Sequence, residues 1–169
     1  MVMTQATKID QDLALTEIWA ALQAIPDPEI PVISVTDLGI IRAVACTRGK
    51  VTITVTPTYS GCPATEVIIR DIEDAVRALG AAPVAVVIQL TPAWTTDWLS
   101  IAGRAALHAY GIAPPAACHG GRAQALIFKP RCPRCGERGE LLSAFGATPC
   151  KALYRCTSCG EPFEYFKPI

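Results

Sequence analysis

Eight cysteines in 169 residues set the chemistry open to this chain. Four of them fall in two copies of Cys-x-x-Cys-Gly, Cys132-Pro133-Arg134-Cys135-Gly136 and Cys156-Thr157-Ser158-Cys159-Gly160. Two residues between thiols let one tight knuckle present both sulfurs to a single ion, and the following glycine lets the backbone turn beneath it. Four thiolates make a closed tetrahedral site of the kind structural zinc prefers, so Cys132, Cys135, Cys156 and Cys159 are the expected metal ligands. A mononuclear iron site uses the same spacing, which leaves iron as the alternative ion. A stabilising metal knot is the expected role rather than a reactive centre. Cys150 is then a spare thiol: a packing residue, a substitute ligand or an interface residue. Cys118-His119, adjacent in a segment without periodicity, is given no role.

The second candidate is Cys62 in Thr58-Tyr59-Ser60-Gly61-Cys62-Pro63-Ala64-Thr65-Glu66. A β-rich run precedes it and an apolar-periodic helix follows. At such a junction the free N–H groups and the positive end of the helix dipole favour a thiolate, the form that binds soft metals or attacks electrophiles. Gly61 permits a tight turn, and Pro63 suits the first helical position. Taken alone, a cysteine there reads as packing. The surrounding chain decides.

That chain must hold the thiols in place. Leu15, Ile18, Leu22 and Ile25 recur at helical steps, predicting a helix over 12–25, capped by Asp10 or Asp12 and stopped by Pro26. Three prolines in Pro26-Asp27-Pro28-Glu29-Ile30-Pro31 exclude a helix next and predict an ordered extended loop. Residues 32–35 and 40–46 read as strands, interrupted at Asp37-Leu38-Gly39. Thr47-Arg48-Gly49-Lys50 reads as a hairpin turn into 51–56, where aliphatic residues alternate with threonine and imply a sheet with one packed face. Ile68, Ile72, Val76 and Leu79 mark the helix after Cys62, which Gly80 ends. Val84, Val86, Ile88 and Leu90 alternate as a further strand. A helix over 97–110, capped by Thr95 or Thr96, follows.

The fold class is therefore α+β, a small mixed sheet covered by helices and followed by a C-terminal four-cysteine zinc ribbon. Residues 12–111 form the first domain, 112–127 a linker and 128–169 the ribbon. So short a ribbon cannot bury enough surface alone, and metal binding must supply much of its folding energy. Apolar content of 51% excludes a disordered chain, and equal numbers of basic and acidic residues, 15 each, give no electrostatic grip on nucleic acid or anionic lipid. The longest apolar run, 81–88, is too short to span a bilayer. Without a secretory signal the chain is expected in the cytoplasm, where thiols serve metal or redox chemistry rather than disulfides.

Asp27-Pro28-Glu29-Ile30-Pro31, Asp37-Leu38-Gly39-Ile40-Ile41 and Ser60-Gly61-Cys62-Pro63, in that order, resemble the signature of the metal–sulfur cluster biogenesis domain family, accessory proteins of iron–sulfur cluster assembly. Two further stretches, Thr91-Pro92-Ala93-Trp94-Thr95-Thr96-Asp97-Trp98 and the run from Phe145 to Cys156 within the ribbon, are similar to the branch that serves phenylacetyl-CoA ring-epoxidising systems of phenylacetate catabolism. The resemblance implies an accessory role beside a di-iron oxygenase subunit and a reductase carrying flavin and a [2Fe–2S] cluster, the two expected partners. The chain has no Glu-x-x-His pair for a carboxylate di-iron site and no G-x-G-x-x-G fingerprint, so by its own residues it is neither.

Within that resemblance Cys62 is the expected transient ligand for iron or an iron–sulfur cluster, with no catalytic residue assigned. Asp27, Glu29 and Asp37 add oxygen ligands or hold the loop beside the thiol, and each can equally serve as a loop cap. Thr58 and Ser60 are placed to hydrogen-bond the sulfur. Trp94 and Trp98 are read as a partner-docking pair, against the alternative that both pack on the sheet. A scaffold or adaptor subunit of the oxygenase complex is the competing function. Monomer and homodimer both remain open.

Overall fold

A computed structural model describes residues 15–47, 49–115 and 129–168. The start of the first helix with its caps, Arg48 in the hairpin turn, residues 116–127 of the expected linker and Cys118-His119 lie outside the described residues. The element order is helix α1 (Leu15–Gln23), strands β1 (Ile41–Thr47) and β2 (Lys50–Val55), helix α2 (Thr65–Ala78), strand β3 (Val84–Ile88) and helix α3 (Ile101–Tyr110). Strands β4 (Ile112–Ala113), β5 (Gly139–Ser143), β6 (Lys151–Cys156) and β7 (Pro162–Phe166) follow.

The first sheet runs β1-β2-β3, antiparallel across the hairpin and parallel between β2 and β3, so it is mixed as expected. Along β2, Val51, Ile53 and Val55 are buried while Thr52 and Thr54 are partly exposed, the alternation a one-sided sheet requires. Ile68, Ile72 and Val76 repeat every four residues and bury the inner stripe of α2, which packs against α1 and β3. Gly80, at φ 87°, accepts the left-handed turn that ends this helix.

Three expectations need correction. Residues 32–35 are not a strand; only Ser34 makes a bridge, to Pro26. Ile33 and Val35 are buried there by loop hydrogen bonds, Asp27 N to the Ile33 carbonyl at 2.8 Å and Val35 N to the Ile25 carbonyl at 3.0 Å. The helix expected over 97–110 is two pieces. A 3₁₀ turn, Thr96–Trp98, is capped by the Thr95 hydroxyl, and α3 begins afresh with Ser100 accepting from Gly103 N at 2.8 Å. A capping hydroxyl inside the apolar period restarts the helix. Finally, Ile112 and Ala113, assigned to a linker, are buried as β4 and pair in parallel with Glu164 and Tyr165 of β7.

That last pairing joins the two halves. The second sheet runs β4-β7-β6-β5, so the exit of the first domain is an edge strand of the ribbon. The contact extends to side chains. Phe166, fully buried, and Cys150 belong to the same apolar core as Ile18, Leu22, Ile53 and Ile72. A smaller cluster around Tyr154, Phe163 and Tyr165 supports the ribbon itself. Burying a phenylalanine in another unit's core contributes about 1.5–3 kcal/mol, enough to hold the ribbon at one place. Among the described residues, no helix is long and apolar enough to cross a membrane.

Candidate functional site

The ribbon thiols form the first centre. The Sγ atoms of Cys132, Cys135, Cys156 and Cys159 all lie within 4.8 Å of one another. Their two knuckles repeat each other. Cys132 N donates to the Glu137 carbonyl at 2.7 Å and Gly136 N to the Cys132 carbonyl at 2.9 Å. In the second, Cys156 N reaches Glu161 at 2.9 Å and Gly160 N reaches Cys156 at 3.2 Å. Gly136 and Gly160 take φ of 79° and 76°, left-handed turns that a side chain would strain.

The four sulfurs, so close together, compete for negative charge. The Glu137 N–H pulls Cys135 down, but the neighbouring thiols and burial outweigh it and push Cys135 up to about 12. The Cys159 and Ser158 N–H groups hold Cys156 at about 6. A divalent ion relieves that competition, so the donor set fits a closed thiolate site.

The second centre is a cavity of about 20 Å³ between the domains, whose lining includes Asp27, Glu29, Thr58, Cys62, Cys150 and Phe166. Two loops and the ribbon build it. Asp27 is buried in the proline loop, its Oδ1 accepting from Glu29 N and Ile30 N, both at 2.9 Å. One carboxylate therefore caps the loop and faces the cavity. Cys62 stands three residues ahead of α2 in a turn, its N–H on the Tyr59 carbonyl at 3.2 Å and its own carbonyl accepting from Thr65 N at 3.1 Å.

Burial works against the thiolate expected at Cys62. Burial pushes the Cys62 thiol up; the Ala64 N–H pulls it down, and Glu29 and Asp27 raise it further. Because the helix begins only at Thr65, with Pro63 before it rather than at its first position, little of the dipole is focused on the sulfur. Burial also raises Asp27 and Glu29, each moderated by the Lys151 cation. Burial thus disfavours the charged forms of all three groups lining the cavity.

The remaining predicted residues divide. Asp37 does not line the cavity. Its Oδ2 accepts from Ser34 Oγ at 2.8 Å and from Gln23 Nε2, its Oδ1 from Ser100 Oγ at 2.5 Å, and its carbonyl from Ser100 N at 2.9 Å. It ties α1, the loop and the start of α3 together. Burial raises its carboxyl, but the Ser100, Ser34 and Gln23 donors prevail and hold it below the ordinary range. Thr58 is buried in the cavity wall, whereas Ser60 is exposed and outside it.

Trp94 is not a docking residue. Only 3% exposed, it donates from Nε1 to the Leu38 carbonyl at 3.0 Å, and its ring centre lies 6.0 Å from that of Phe166. Its partner is the ribbon of the same chain. Trp98 is half-buried under the Arg42 guanidinium, 3.4 Å from its ring centre. Gly39 is required beside it, since a Cβ there would lie 2.6 Å from the Trp98 carbonyl oxygen. Cys150 and Phe166 line the same cavity as Cys62, a juxtaposition that no spacing in the sequence indicates. The only signal was that four ribbon ligands leave Cys150 unused.

Comparison with known proteins agrees with this two-part architecture. A family described as "Iron-sulfur cluster assembly protein" matches residues 15–88, and one described as "PaaD zinc beta ribbon domain" matches residues 121–167. A Porphyromonas gingivalis Fe-S protein maturation auxiliary factor is 38% identical over 86 residues, half of this chain and 81% of its own. The crystal structure of a domain of unknown function from Bacillus anthracis superposes with a TM-score of 0.51 at 25% identity, over 54% of this chain and 89% of its own. An Escherichia coli (strain K12) protein, assigned as the D subunit of 1,2-phenylacetyl-CoA epoxidase, is 54% identical over 156 residues, 90% of this chain and 92% of its own. Identity of that level, across both the α+β domain and the ribbon, means that this chain belongs to the family of 1,2-phenylacetyl-CoA epoxidase D subunits.

Proposed function

We propose that this chain is an accessory subunit of a phenylacetyl-CoA epoxidase system, loading or maintaining iron or an iron–sulfur cluster in the reductase or di-iron oxygenase subunit. The observation that carries the reading is the cavity where Cys62 meets Asp27 and Glu29. A thiol beside carboxylates offers one soft and several hard donors, a mixture that suits iron. Because burial keeps the thiol protonated, binding a cation must displace a proton, which weakens the hold and suits cargo that is passed on. The ribbon's four thiols hold a resident ion, zinc by their number and tight grouping, as a structural support.

The test is expression with the reductase and di-iron subunits, comparing their iron and sulfide content beside wild type and Cys62→Ser. Clients depleted of iron or cluster in the variant, with ribbon zinc retained, are the expected result. Full client loading by Cys62→Ser sinks the proposal.

A second reading, an adaptor that bridges subunits of the complex, draws on exposed apolar residues. Val87, Ile88 and Leu90, at and beyond the end of edge strand β3, are each about half exposed. Co-purification with the oxygenase in fixed stoichiometry, abolished by Ile88→Asp but untouched by Cys62→Ser, would favour the adaptor.

A further inference from the structure

We propose that Cys62 of the α+β domain and Cys150 of the ribbon are paired ligands for one divalent, thiophilic metal ion, in a site that neither half possesses alone. The inference rests on the metal-handling reading of Cys62 and adds to it a second ligand, a stoichiometry and a dependence on ribbon docking.

Cys150 is outside the ribbon's own metal cluster, which is complete without it. Its side chain is buried in the core of the other domain and lines the cavity that Cys62 lines. Thr148 Oγ1, 3.0 Å away, is its hydrogen-bonding neighbour, and Glu29 acts on both thiols across the cavity. The backbone fixes its position. Lys167 N donates to the Cys150 carbonyl at 2.9 Å, and Lys151 N to the Thr148 carbonyl at 3.1 Å. Lys151, buried, is itself pinned by Glu164 at 2.7 Å. A thiol fixed by its backbone in the wall of the cavity that Cys62, Asp27 and Glu29 also line is placed as a ligand.

The cavity, about 20 Å³, has room for a single ion. Two sulfurs with carboxylate oxygens beside them suit iron(II), cobalt(II) or zinc. On ligation each S–H bond is replaced by a sulfur–metal bond, two protons leave per ion, and no electrons move.

Cobalt(II) is the probe, titrated into full-length chain whose ribbon is already loaded with zinc. Wild type should take up one cobalt per chain with a thiolate-to-cobalt charge-transfer band. Cys62→Ala and Cys150→Ala should each weaken uptake by about tenfold or more and roughly halve the band, with zinc content and thermal unfolding confirming the fold. X-ray absorption at the cobalt edge of wild type counts sulfurs without any variant: two support the pairing, and one overturns it. If Cys150→Ala binds as wild type while Cys62→Ala does not, the pairing falls and Cys62 remains the cargo ligand. If wild type binds no cobalt beyond the ribbon, the pairing and the reading beneath it both fall.

Discussion

The two thiol centres of this molecule are built in opposite ways. In the ribbon, each knuckle brings its cysteines from one short turn, and the four sulfurs converge within 4.8 Å of one another. The cavity at Cys62 draws its lining from the proline loop, the turn before α2 and two points of the ribbon. The first arrangement suits an ion that stays, because four thiolates close its coordination. In the second, burial raises the Cys62 thiol and the Asp27 carboxyl, which works against holding a cation and suits one that leaves. Local spacing makes a permanent site; distant segments make a conditional one.

The largest effect should come from emptying the ribbon. Structural zinc supplies on the order of 10 kcal/mol in small zinc domains, so chelation or Cys156→Ser should unfold β5, β6 and β7 and lower the melting temperature of the first domain with them. Circular dichroism during metal removal measures both. Cys62→Ser in the same assay should stay within about 1 kcal/mol of wild type, and equal losses from the two variants would break the comparison.

An intermediate effect tests the contact between the centres. Phe166→Ala removes a fully buried ring from the core of the other domain and should cost about 3–5 kcal/mol in denaturant unfolding, with a shift in Trp94 emission. Unchanged ribbon zinc alongside that loss would show that docking, and not the metal knot, was lost.

The smallest effects separate two acids. At neutral pH, Asp37→Asn should lose about 1–2 kcal/mol, because one charged acceptor binds three side-chain donors. Its folded carboxyl lies below 3.8, so its contribution is present above that pH and fades as acidification passes through the folded value. Asp27→Asn should hold or gain stability, since Asn keeps the Oδ1 acceptor for the two N–H groups and burial penalises the ionised form. Asp27 is raised above 3.8, so its contribution is full below that pH and declines as pH rises through the folded value. Urea unfolding at pH 3 and pH 7 distinguishes the pair.

The same contrast explains what the sequence made legible. The ribbon ligands, the hairpin of β1 and β2 and the stripe of α2 depend on neighbours within a few residues, and spacing or period reveals them. Residues 32–35 look like a strand because Val32, Ile33 and Val35 are β-branched, yet their backbone groups bond to the loop's own partners. Ser100 breaks the apolar period only when its hydroxyl turns to Gly103. Trp94 resembles a docking aromatic because tryptophans at loop ends often are; that its partner is Phe166 follows from a contact 72 positions along the chain. The Cys62–Cys150 cavity was hidden for the same reason.

The buried position of Phe166 also has a consequence for synthesis. The ribosome delivers the chain in order, and every helix and strand of the α+β domain emerges before β6 and β7. For that interval Trp94 lacks its ring contact with Phe166, and the cavity lacks the wall that Cys150 and Phe166 supply. The cavity closes only after the ribbon has been made, filled with its own ion and folded back. The lining of that cavity is therefore complete only once the ribbon residues Cys150 and Phe166 have been made.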